Sequence, residues 1–276
     1  TWIIREIESP KGYVLSEEEI AVTIGKVDEV VEIELVNYFI KGNIALTKVD
    51  EDYPDNKLSG AVFEVYSDTN GDGKLDKDDT LLGEMKELDG GVYQMSELRY
   101  GKYLVKETKA PTGFVLDENV YSVSVEENGK TYTVENKAGV GFINAAQKGS
   151  LKIVKTSSDG KVEGFSFRVT GVDYDQTFKT DKNGEIVIEG LRIGDYTVSE
   201  VSDKASAGYI LPADKQATVK VDATAIVQMH NEFRDTPKTG DDFNLGLWVS
   251  LAALSVVGAG VLGFVGYKNR KKKKED

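Results

Sequence analysis

One strand-like segment occurs three times in this chain, as Trp2-Ile3-Ile4-Arg5-Glu6, Tyr103-Leu104-Val105-Lys106-Glu107 and Tyr196-Thr197-Val198-Ser199-Glu200. Each copy leads to a glycine–aromatic pair, Gly12-Tyr13, Gly113-Phe114 and Gly208-Tyr209. Each unit then closes on an asparagine, in Leu35-Val36-Asn37, Phe142-Ile143-Asn144 and Met229-His230-Asn231. Two copies share an opening as well: Gly42 to Lys48 lines up with Gly149 to Lys155. Repetition at this period requires one fold to be built more than once. It divides the chain into the back half of one domain (1–41), two whole domains (42–148 and 149–234) and a C-terminal segment (235–276). Joints of only a few residues predict a semi-rigid string. The start at Thr1, without Met or a leader, reads as the C-terminal piece of something longer.

Short Val/Ile/Tyr/Thr runs and only five prolines predict an all-β fold of tandem Ig-like β-sandwiches, antiparallel and without helical crossovers. Asn128-Gly129 and Asn183-Gly184 have the chemistry of two-residue hairpin turns between neighbouring strands.

Alternate residues of a strand face the same way. Ile44, Leu46 and Lys48 therefore share a face, as do Leu151, Ile153 and Lys155. Tyr103, Val105 and Glu107 share one, as do Tyr196, Val198 and Glu200. Trp2 and Ile4 form a core stripe leading to Glu6. Phe142 precedes Asn144, Met229 precedes Asn231, and Ile33 and Leu35 precede Asn37. Each whole unit thus points a lysine, a glutamate and an asparagine along apolar stripes, where an unpaired charge is costly. Exposure at strand edges, or a buried Lys–Glu ion pair, is the plainer alternative. Burial also favours a neutral amine and a protonated carboxyl. A neutral amine can attack the asparagine carboxamide while the glutamic acid polarises its oxygen and relays protons. The product is a Lys–Asn isopeptide bond, made once, in a chain that has no cysteine for disulfides, thiolate metal sites or thiol catalysis.

These residues resemble the Cna B-type (SpaA-type, prealbumin-like) domains of Gram-positive surface proteins and pilins, and Tyr103–Phe114 is similar to the pilin E box. The resemblance implies a lysine on the first strand, a glutamate in the E box and an asparagine on the last strand. That carries over to Lys48, Glu107 and Asn144, to Lys155, Glu200 and Asn231, and in the partial unit to Glu6 and Asn37. The 149–234 unit departs from the pattern by lacking the Ala-Pro of the E box.

From Phe243 to Tyr267 run 25 residues without charge, enough for one transmembrane helix, followed by a basic tail at 268–276. That order keeps the tail cytoplasmic and the body outside the cell. Just before it, Thr236-Pro237-Lys238-Thr239-Gly240 resembles an LPXTG sorting signal with Thr in place of Leu. The resemblance implies sortase as a partner, cleavage after Thr239, and attachment through Thr239 to peptidoglycan or a pilin subunit. Residues 1–240 carry 28 basic against 43 acidic side chains, a net −15 that makes the body a poor candidate for binding nucleic acid. A single histidine leaves little room for a His-based triad or a His-rich metal centre.

Asp68, Asn70, Asp72, Lys74 (through its carbonyl), Asp76 and Asp79 have calcium-loop spacing, with Asp79 where a glutamate is usual. The expectation is therefore a non-enzymatic stalk of a wall-attached adhesin or minor or basal pilin, without cofactor other than calcium. A host ligand would bind an upstream region. The alternative is an anchor displaying an upstream extracellular enzyme. A third reading, a polymerised major pilin, rests on the faint motif Tyr53-Pro54-Asp55-Asn56-Lys57.

Overall fold

The computed structural model describes residues 1–234; the sorting motif, the apolar span and the basic tail lie outside the described residues. Every regular element among the described residues is a strand. Residues 1–40 hold only β1 (Trp2–Arg5) and β2 (Glu19–Val22), an antiparallel pair. Among the described residues no second sheet faces this pair, so Trp2, expected on a core stripe, is 68% exposed, and Ile3 and Ile7 are exposed with it. The expected closing run Ile33-Leu35-Asn37 forms no strand, because no parallel neighbour is there to pair with it.

Residues 41–144 contain β3 (Lys41–Asp50), β4 (Val62–Ser67), β5 (Thr80–Glu84), β6 (Lys86–Glu87), β7 (Val92–Arg99), β8 (Gly101–Lys109), β9 (Val120–Val125), β10 (Thr131–Thr133) and β11 (Phe142–Asn144). One sheet runs β10-β3-β7-β6, with β11 also on β3; the other runs β5-β4-β8-β9. Ile44, Leu46, Phe63, Val65, Tyr93, Val105 and Phe142 fill the space between them. Residues 148–233 repeat the plan with β12 (Lys148–Ser157), β13 (Ser166–Gly171), β14 (Tyr174–Lys179), β15 (Glu185–Arg192), β16 (Gly194–Glu200), β17 (Tyr209–Ile210), β18 (Lys215–Val219) and β19 (Thr224–Phe233). Their sheets are β15-β12-β19-β17 and β14-β13-β16-β18, around Leu151, Ile153, Phe167, Tyr196, Val198 and Met229.

Two expectations are corrected here. The sheets are mixed rather than purely antiparallel, because the closing strand of each whole domain runs parallel to the opening one, β11 along β3 and β19 along β12. The Asn-Gly turns are not hairpins. Asn128-Gly129 carries the chain from β9 in one sheet to β10 in the other, and Asn183-Gly184 does the same between β14 and β15. Both glycines take the positive φ such a tight reversal needs, +76° and +77°. The Asn128 side chain and the Gly129 N–H then pair with the Lys41 backbone rather than with a hairpin partner.

The joint between the whole domains is clasped by Arg192 at the end of β15. Its guanidinium donates to both carboxylate oxygens of Asp50, at 2.7 and 2.8 Å, and to Asp52 at 2.9 Å, while lying over the Tyr53 ring. Burial pushes the Asp50 carboxyl up, but the bonds from Arg192 and a backbone N–H outweigh it and hold the group below the usual range. This clasp is therefore complete above the ordinary Asp range and fails as pH falls through the lowered value. Arg99 occupies the matching place at the preceding joint, over Phe39 at 4.0 Å. Replacing Arg192 by Ala leaves Asp50 buried without its partner, at a cost of about 1–3 kcal/mol. The expected outcome is cleavage near residues 145–148 about tenfold faster in limited proteolysis, with each domain's melting little changed. Unchanged cleavage would show that the clasp does not hold the joint.

Candidate functional site

Each whole domain encloses one cluster built by three strands. In the first, β3 brings Lys48, β8 brings Glu107 and β11 brings Asn144, which are 0%, 0% and 3% exposed. In the second, β12 brings Lys155, β16 brings Glu200 and β19 brings Asn231, also buried. The register explains why the same residues meet twice. Asn144 pairs with Asp50, two residues past Lys48, and Asn231 pairs with Ser157, two residues past Lys155. A two-residue offset between parallel strands keeps lysine and asparagine on one face. The glutamate comes from the facing sheet, opposite Phe63 on β4 in one domain and Phe167 on β13 in the other.

In the first cluster Asn144 Nδ2 donates to both Glu107 oxygens at 3.0 Å, and Lys48 Nζ lies 3.9 Å from Glu107 Oε1. Lys48 Nζ also donates to the Phe142 carbonyl at 3.0 Å and sits over the Phe142 ring. Burial lowers the Lys48 ammonium to about 8, against the raising effect of Glu107, Asp117 and Asp50. Burial also raises the Glu107 carboxyl, against hydrogen bonds from the Asp117 N–H and Asn144. The second cluster shows the same directions, burial lowering Lys155 and raising Glu200. There Asn231 Nδ2 donates to Glu200 Oε1 at 2.6 Å, while Lys155 Nζ donates to the Thr156 carbonyl and lies over the Phe165 ring.

The carboxamide oxygens Asn144 Oδ1 and Asn231 Oδ1 are buried without partners. A half-turn of either amide would present that oxygen to a protonated glutamic acid. In residues 1–41 the same pair is found without a lysine, Asn37 Nδ2 donating to Glu6 at 2.8 and 2.9 Å, both side chains half-buried.

The sequence reading missed Asp117. Its N–H donates to Glu107 Oε2 at 2.8 Å, and its carboxylate accepts from Tyr121 and Asn136. Its place in the repeat, three residues after Phe114, was a signal that could have found it. His230 lies toward the surface, its Nδ1 2.8 Å from Thr156 Oγ1.

The six residues of calcium-loop spacing lie on the loop between β4 and β5. Their oxygens are turned onto the loop's own backbone: Asn70 takes the Asp72 N–H, Asp72 the Lys74 N–H, and Asp79 those of Thr69 and Asp76. Asp68 is buried, with Oδ2 on the Gly73 N–H and Oδ1 unpartnered. Among the described residues no three His, Cys, Asp or Glu side chains converge on a metal-sized site.

The SpaA family profile, described as a prealbumin-like fold domain, matches residues 42–138 and 149–233. No curated protein matches the chain. Among solved structures, the Bacillus anthracis TIE protein is 26% identical with a TM-score of 0.63, over 84% of this chain and 41% of that one. The chain therefore spans under half the length of that protein. The pilus adhesin SpaC from Lactobacillus rhamnosus GG is 14% identical, with a TM-score of 0.43, over 71% of this chain and 32% of that one. The minor pilin GBS52 of Streptococcus agalactiae is 17% identical, with a TM-score of 0.32, over 73% of this chain and all of that one.

Proposed function

Because this chain belongs to the SpaA family of prealbumin-like fold domains, we propose that it is the structural stalk of a sortase-anchored surface adhesin or minor pilin. On this reading each whole domain is locked by a Lys–Asn isopeptide bond. The observation that carries the reading is the burial, in both domains and at the same register offset, of an amine, a carboxyl and a carboxamide. A plain buried ion pair would need no asparagine, yet Asn144 and Asn231 are each held on the glutamate.

The chemistry balances within the chain. Proton transfer inside the buried pair gives neutral Lys48 and protonated Glu107. Lys48 Nζ bonds to the Asn144 carboxamide carbon as Glu107 protonates its oxygen. Glu107 then carries a proton from the attacking nitrogen to Nδ2, the bond from that carbon to Nδ2 breaks, ammonia leaves, and the proton lent to the oxygen returns to Glu107 as the carbonyl re-forms. Lys155, Glu200 and Asn231 follow the same course. Folding supplies the geometry, and there is no turnover.

Anchoring belongs to the same proposal, with Thr239 joined by sortase to peptidoglycan or a pilin subunit outside the cell. Changing both Pro237 and Thr239 to Ala is expected to move most of the protein from the wall fraction to membrane or medium. Wall retention equal to the native chain would overturn covalent anchoring.

A further inference from the structure

The repeat aligns a third position that the cluster chemistry touches. The aromatic residue after each repeated glycine pairs with the residue two beyond the closing asparagine: Tyr13 with Phe39, Phe114 with Ala146, Tyr209 with Phe233. Counting three residues on from each aromatic gives Ser16, Asp117 and Pro212. The Ser16 N–H donates to Glu6 Oε2 at 2.7 Å and the Asp117 N–H to Glu107 Oε2 at 2.8 Å. Pro212 has no N–H to give. Correspondingly, Glu200 Oε2 is a buried oxygen with no partner among the described residues, while Oε1 takes Asn231.

We propose that Pro212, by withholding the N–H that its counterparts give, leaves Glu200 Oε2 free to hold the reaction's proton, and so speeds bond formation in the 149–234 domain. Pro212 is a positioning residue on this account, and the proposal rests on the isopeptide reading above.

The reasoning concerns one proton shared by two groups. Reaction needs it on Glu200 with Lys155 neutral; the competing arrangement puts it on Lys155 and leaves a carboxylate. An N–H bonded to Oε2 stabilises the carboxylate, and therefore the unreactive arrangement. At acid pH both groups are protonated, and the reactive fraction depends only on loss of the lysine proton, which the N–H does not affect. The charged groups facing Glu200 are Lys155 from β12 and Asp203 from the loop after β16, and neither is altered by a change at Pro212.

The test is the full chain, recovered unreacted in urea and refolded into mild detergent across a pH series. Joining of Lys155 to Asn231 is followed by mass spectrometry of quenched digests. Pro212→Ala and Pro212→Ser both restore the N–H with different side chains. Both are expected to slow joining about tenfold at neutral pH, with the curves converging on the native one toward acid pH. Joining of Lys48 to Asn144 in the same molecules is the internal control and should not change. Slowing by the same factor at every pH would indicate general distortion and overturn the proposal, as would unchanged rates in both variants. Absence of any joined peptide in the native chain would instead overturn the isopeptide reading, and this proposal with it.

Discussion

Glu107→Gln in the full chain is expected to lower the melting temperature of the 42–148 domain by about 20 to 35 °C. The bond proposed between Lys48 and Asn144 closes a loop of nearly a hundred residues. By analogy with a disulfide across such a loop, it restricts the unfolded chain by about 4.7 kcal/mol. A domain of this size shifts by roughly 4–8 °C for each kcal/mol. Glutamine fills the same space as glutamic acid, so no cavity term enters.

The discriminating variant is Asn144→Ala. An ion pair alone would survive that change, leaving it mild while Glu107→Gln cost about 3–5 kcal/mol through the stranded lysine. With the cross-link, either change removes the same bond. Asn144→Ala should then also fall by at least about 20 °C, the share of the cross-link alone, rather than staying mild. Calorimetry checks this, and a mild Asn144→Ala beside a severe Glu107→Gln would favour the ion pair.

The second large effect is mechanical. Tension enters the first whole domain at residue 42 and leaves at residue 148, so only six residues before Lys48 and four after Asn144 lie outside the proposed bond. Force then passes from β3 through the bond to β11 without opening the sheets. The native chain is expected to show no unfolding step from either domain in single-molecule stretching. Glu107→Gln should restore one extension on the order of 300 Å, from the 96 residue steps between Lys48 and Asn144. Glu200→Gln should restore a shorter one, about 250 Å, from the 76 steps between Lys155 and Asn231.

Much of the cluster is legible in the sequence because strand alternation is strict and the pattern recurs. Lysine after Ile44 and Leu46, and again after Leu151 and Ile153, cannot face outward while those residues face the core. Other features leave no such trace. Alternation does not encode strand direction, so the parallel pairing of β11 with β3, on which the Lys48–Asn144 offset depends, had to come from the structure. An Asn-Gly turn has one chemistry whether it leads to a neighbouring strand or across to the facing sheet, hence the misreading at Asn128 and Asn183. The Asp117 N–H is a backbone group without side-chain identity, and its absence at Pro212 gains meaning only beside the orphan Glu200 Oε2. Trp2 carries an apolar pattern that only an opposing sheet could bury.

The most direct measurement of the central claim is the intact mass of the native chain, unfolded in denaturant. Covalent locking of both domains predicts a mass below that of the sequence by two molecules of ammonia, after allowance for any processing at the chain ends. Glu107→Gln and Glu200→Gln should each restore one ammonia, and the double variant both. A native mass equal to that of the sequence would contradict the account, leaving two buried clusters of lysine, glutamate and asparagine held by hydrogen bonds and charge alone.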